Sequence, residues 1–132
     1  MTSAMAQDKK KAVPWVASVA VVVSDKEKAK KWYSEKLGLD IISEKAHWVT
    51  VGKKGKGGQI HLCQMTEIDS KFPLEPGNSG ILFMVEGDIV KHYETLKARG
   101  VEFPQPPVKR PWGWECVFRD LDGNEHMIMP ST

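Results

Sequence analysis

Only two cysteines, Cys63 and Cys116, occur in the 132 residues. Neither belongs to a CxxC or CxxxH spacing, so the chain lacks the pattern of a structural zinc site. Both fall inside predicted strands, and with no signal peptide in view the expected form is two reduced thiols in a cytoplasmic protein. A dominant charge is also missing. The 19 Lys and Arg against 17 Asp and Glu leave a formal +2, too little for a nucleic-acid footprint. Lysines gather at Lys9–Lys11, Lys26–Lys31 and Lys53–Lys56, but acids interrupt the second group and glycines the third, as on solvated faces. Long hydrophobic runs are absent. The longest, Val16 to Val23, is broken by Ser18 and falls far short of the roughly 20 residues that span a bilayer. Residues 1–13 hold no apolar segment of their own and read as a disordered tail.

What is present is ordinary for a globular chain: 41% hydrophobic and 27% charged residues, enough to build one core without disulfides. The stretch from Val16 to Asp40 organises the rest. Its β-branched run to Val23 suits a buried strand, and Ser24 with Glu27 fits a capping box. Ala29, Trp32, Tyr33 and Leu37 then follow at helical spacing, and Gly38 supplies a left-handed stop. A weaker copy of this plan returns sixty-two positions later, with Ile81 answering Val19 and Gly100 answering Gly38. There Asp88 caps a helix whose buried stripe is Ile89, Tyr93 and Leu96.

Strands are predicted over Leu39–Glu44, His47–Val51 and Gln59–Met65 in the first half. In the second half they are predicted over Gly80–Val85, Val101–Phe103, Trp114–Arg119 and Glu125–Met129. Pro104 to Pro111 cannot pair as an interior strand and reads as an extended edge or loop. Asp122-Gly123-Asn124 is a hairpin turn. The expected architecture is α+β: two βαβββ modules, about residues 15–65 and 80–130, in a single domain over 14–132. Residues 66–79, with two prolines and no periodicity, form the linker.

One set of motifs carries a resemblance: Ser24-Asp25 at a strand end, Trp32-Tyr33 and Leu37-Gly38-Leu39 on the helix, Trp112-Gly113, Phe118, and Asp120-x-Asp122-Gly123-Asn124 before the last strand. Over Val16 to Pro130 the chain resembles the vicinal-oxygen-chelate superfamily, which includes glyoxalase I, bleomycin-resistance proteins, extradiol dioxygenases and fosfomycin-resistance enzymes. The resemblance implies paired βαβββ modules curled around a cleft, a homodimer, and in metal-dependent members four ligands reaching into that cleft. Those places fall on Ser18, His61, Gly80 and Met127. Gly80 has no side chain, Ser18 is a weak neutral donor and the thioether of Met127 is too soft, which leaves His61 as the one credible ligand.

Strand alternation puts Gln59, His61 and Cys63 on the cleft side, with Gly80, Leu82 and Met84. His61 is either a hydrogen-bonded strand histidine or a ligand contact. His126 should face the helices as a structural residue, and His47 and His92 should lie at the surface. Glu115, mid-strand among apolar neighbours, is either solvated at an edge or a polar anchor and candidate general base. Five tryptophans are present. Trp32 belongs to the core, whereas Trp48, Trp112 and Trp114, with Met84, Met127 and Met129, would line an apolar pocket; the other reading is that Trp112 and Trp114 lie at a dimer interface or cover the Pro-rich edge.

Three readings stay open, the third being a structural or interaction module with a collapsed cleft. The first is a binding protein without a cofactor, holding a small apolar or aromatic molecule among His61, Trp48, Met84, Trp112, Trp114 and Met127. The second is a glyoxalase-like lyase or extradiol-type dioxygenase, with a divalent metal on His61 and improvised donors such as Glu115, Gln59 or Cys63. Neither nucleic acid nor a membrane is an expected partner.

Overall fold

The β-branched run settles as strand β1 (Val19–Val23), whose Val21 and Val23 are buried beneath helix α1 (Lys26–Lys36). Three strands complete the first module, β2 (Asp40–Glu44), β3 (Trp48–Gly52) and β4 (Gln59–Gln64). The second repeats the order with β5 (Leu82–Val85), α2 (Ile89–Ala98), β6 (Glu102–Arg110), β7 (Gly113–Arg119) and β8 (Glu125–Pro130). This computed structural model describes residues 14, 16–64 and 76–131. The expected tail and most of the expected linker, together with Met65 at the predicted end of β4, lie outside the described residues.

Each module is its own four-stranded mixed sheet, ordered β1-β4-β3-β2 and β5-β8-β7-β6. In both, the first strand pairs in parallel with the last, Val21 beside Leu62 and Phe83 beside Ile128, while the remaining pairs are antiparallel. The predicted βαβββ duplication is therefore present. β6 runs as one continuous edge strand through Pro104, Pro106 and Pro107, with register shifts on either side of Gln105 where ladder donors are missing.

The capping box is not formed as expected. Asp25 is the N-cap, accepting from the backbone N–H groups of Glu27 and Lys28, both at 3.0 Å. Ser24 turns away because Asp122, in the β7–β8 turn, accepts from both its backbone N–H and its hydroxyl. At the other ends the expectation holds: Gly38 and Gly100 follow the two helices with φ of 75° and 91°. Asp88 caps α2 through the Val90 N–H.

Two clusters make the core. One gathers Val21, Val23, Ala29, Tyr33, Val49, Val51, Ile60 and Leu62, and the other Ile89, Leu96, Val101, Cys116, Phe118 and Ile128. Trp32, Leu37 and Phe83 pack against both, so the helix-covered sides of the modules share one apolar seam. Among the described residues, no helix is long and apolar enough to cross a membrane.

Candidate functional site

Packing the helices on one side of each sheet leaves the alternate side chains on the other. In the first sheet these include Trp48, Thr50, His61 and Cys63, because the buried Val49, Val51, Ile60 and Leu62 take the helix side. Pairing sets Thr50 opposite His61 and Trp48 opposite Cys63. The Trp48 and His61 rings stack, 5.8 Å apart and 15° from parallel, and His61 Nδ1 shares a 2.9 Å hydrogen bond with the Thr50 hydroxyl. His61 is thus a bonded strand histidine with a half-buried ring. Burial raises the Cys63 thiol above its ordinary pKa, so it stays protonated at neutral pH.

The second sheet places Leu82, Glu115, Val117 and Met127 on its helix-free face, with Leu82 and Val117 both opposite Met127. Trp114 shares the parity of Cys116 and Phe118, so it sits at the margin of the helix-side face, 42% exposed, and not beside Met127 as expected. Glu115 is 4% exposed, which excludes the solvated-edge reading. One carboxylate oxygen accepts from the Trp112 indole N–H at 2.9 Å and lies 3.6 Å from the Arg110 guanidinium; the other accepts from the Gln105 amide at 3.4 Å. Two hydrogen-bond donors and one nearby cation offset the several kcal/mol that burying a lone carboxylate costs. Trp112 itself is 66% exposed, so a fixed indole stands on a buried anchor. Met84, 60% exposed on β5, shares the parity of Leu82 and so lies on the same helix-free face.

Sequence reasoning placed Trp48, His61, Trp112 and Glu115 in a single cleft without pairing them; the structure joins Trp48 to His61 and Trp112 to Glu115. Among the described residues, however, no hydrogen bond, ion pair or ring contact joins the first pair to the second. It also missed Gln105 and Arg110, whose only signal was their place on the strand hairpinned to Glu115.

The metal implied by the resemblance was tested on its donor set. Ser18 immediately precedes β1 and His61 lies on β4 of the first sheet, while Gly80 precedes β5 and Met127 lies on β8 of the second; together they offer one imidazole, one hydroxyl and one thioether. Glu115 is held by Trp112, Gln105 and Arg110, away from His61. Among the described residues no three His, Cys, Asp or Glu side chains are grouped to hold a metal ion. These residues do not fit the divalent centre.

The other predicted histidines resolve clearly. His126 is fully buried on the helix side, as its parity required. Its Nδ1 accepts from the Ile81 N–H at 3.1 Å, so its proton sits on Nε2, aimed at Asp120 (3.1 Å) and the Tyr33 hydroxyl oxygen (2.9 Å). Tyr33 donates to Asp120 at 2.5 Å, and Asn124 donates to it through both its side chain and backbone. Burial and the neighbouring Asp120 carboxylate push the Tyr33 phenol up. Burial alone would raise Asp120, but the hydrogen bonds from His126, Tyr33 and Asn124 outweigh it and hold the carboxyl below its ordinary value. His47 and His92 are half-buried rather than at the surface; the His92 ring donates to the Glu86 carbonyl at 2.7 Å.

Known proteins share this architecture. A crystal structure of a Glyoxalase/bleomycin resistance protein/dioxygenase superfamily member from Sphaerobacter thermophilus is 30% identical, with a TM-score of 0.76 over 90% of this chain and 98% of that one. TnmS3, an antibiotic binding protein from Streptomyces sp. CB03234, is 29% identical with a TM-score of 0.78, covering 92% and 98%. The uncharacterized protein YetH of Bacillus subtilis is 33% identical over 118 residues, 86% of this chain and 95% of its own. With residues 15–128 also matching the family's model, the chain belongs to the Glyoxalase/Bleomycin resistance protein/Dioxygenase superfamily.

Proposed function

We propose that this protein captures a small apolar or aromatic molecule on the helix-free faces of its sheets, without the four-ligand metal centre of the family's enzymes. The observation that carries this reading is Trp112. A surface indole ordinarily pays rotamer entropy to bind, whereas this one has its N–H fixed on the buried Glu115 and its ring exposed. Trp48, stacked on His61, supplies a second aromatic surface, and Met127 adds polarizable apolar area. Glu115, with its oxygens engaged, serves as an anchor rather than as a base. The likeness to an antibiotic binding protein supports the same class of ligand.

The protein is further proposed to act as a homodimer. Leu82 and Met84 are 50% and 60% exposed on an edge strand, and the Trp48–His61 and Trp112–Glu115 pairs are joined by no contact among the described residues. A second copy would cover the first and bring the second together. The expected setting is the cytoplasm, with Cys63 and Cys116 as free thiols.

The test is tryptophan fluorescence and calorimetry against a panel of planar aromatic and antibiotic ligands. Saturable binding is expected, weakened about tenfold or more by Trp112→Ala, the size of a hot-spot loss. No binding by any member of the panel would overturn the assignment.

A further inference from the structure

Between the modules, on the side of the helices, lies a cavity of about 460 Å³, within the range typical of small-molecule sites. It is separate from both aromatic pairs. Its wall and floor are apolar: Leu37 at the end of α1, Phe83 on β5, Leu96 on α2, and the buried Phe118 and Ile128. Along its mouth α2 presents His92, Thr95 and Arg99, spaced so that they share one helical face. None of its lining residues is an Asp or Glu.

Arg99 is held in place and left with spare capacity. One guanidinium nitrogen donates to the Lys36 carbonyl at 2.9 Å, and Lys36 Nζ donates in return to the Arg99 carbonyl at 2.5 Å. Four N–H donors of the guanidinium remain, and neither cation has a carboxylate partner among the described residues. An apolar cavity lined by one arginine that has no carboxylate partner among the described residues selects an anion with a greasy body. Guanidinium geometry favours a carboxylate, which it engages through two parallel hydrogen bonds.

We propose that this inter-module cavity is a second binding site, for a small amphipathic carboxylate whose tail packs on Phe83, Leu96 and Phe118 and whose head meets Arg99. The site does not depend on the aromatic binding face. Its ligand class, a medium-chain alkyl or aryl-alkyl carboxylate, follows from the volume, the apolar floor and the sign of the rim.

The experiment is calorimetric titration of the full chain with decanoate and, in parallel, with uncharged 1-decanol. Saturable one-to-one binding of decanoate is expected. Arg99→Gln should weaken decanoate about tenfold or more, the loss of a charge-assisted hydrogen bond, while changing decanol by less than about twofold. Thr95→Trp, which places an indole across the mouth, should remove both. Arg99 and Thr95 are exposed, so both variants should keep the native circular dichroism. Trp112→Ala should leave decanoate binding intact, which separates this cavity from the aromatic face. Absence of saturable decanoate binding overturns the proposal. So does equal affinity in Arg99→Gln, or binding that survives Thr95→Trp and disappears in Trp112→Ala.

Discussion

Tyr33 carries a hydroxyl from the first module into the polar heart of the second, where Asp120 receives it alongside His126 and Asn124. Tyr33→Phe keeps the ring and removes the donor, so chemical denaturation should show a loss of about 2 kcal/mol, typical of a hydrogen bond to a charged group. Asp120 also sets a pH window. Its folded carboxyl is held below its ordinary value of 3.8, so its contribution is fully present above that value and is lost as pH falls through the lower folded one. Asp120→Asn should therefore be less stable than wild type near neutrality. The gap should begin to narrow below about pH 4, where the carboxyl of the unfolded chain is protonated, and close only once the folded carboxyl is protonated too. Urea midpoints at stepped pH would read both. At this scale the chain was partly legible. Alternation, counted from the ligand position that the family resemblance gave at Met127, placed His126 on the helix side, because parity is local. The partners of Glu115 were not legible, because Gln105 and Arg110 lie on a proline-interrupted strand with no period, and only the register that puts Val108 opposite Glu115 brings them near.

Elements were read well where the signal was local and poorly where it was not. Gly38 and Gly100 ended both helices as expected, since only glycine enters the left-handed region freely. A Cβ at Gly38 would meet nothing within 4 Å. Gly38→Ala should therefore cost about 1–2 kcal/mol from backbone strain alone, with no change in the native circular dichroism. The N-terminus of α1 was misread for the opposite reason: Ser24 is a sound cap by composition, but its hydroxyl is claimed by a residue 98 positions away. Asp25→Ala should cost about 1 kcal/mol in thermal or urea unfolding as a cap loss. Ser24→Ala should instead show coupling with Asp122→Ala in a double-mutant cycle, since the two are in direct contact.

For the whole molecule, the duplication was legible because each module repeats the same order of strand, helix and glycine. How the helix-free faces come together was not, since alternation assigns a side chain to a face and says nothing of what that face meets. The shared seam of Trp32, Leu37 and Phe83, together with the Tyr33–Asp120 bond, makes the halves interdependent. Urea unfolding followed by tryptophan fluorescence and by far-ultraviolet circular dichroism should give superimposable single transitions. Two separated transitions would show that the modules fold apart.

The exchange between Lys36 and Arg99 has a further meaning. At the last turn of each helix, where carbonyls point outward and the dipole is negative, the cation comes from the other half of the chain. Each side gives what it receives, which is the signature of an isologous contact between two-fold-related copies. One polypeptide thus contains, folded into itself, the self-complementary handshake of a pair of identical subunits.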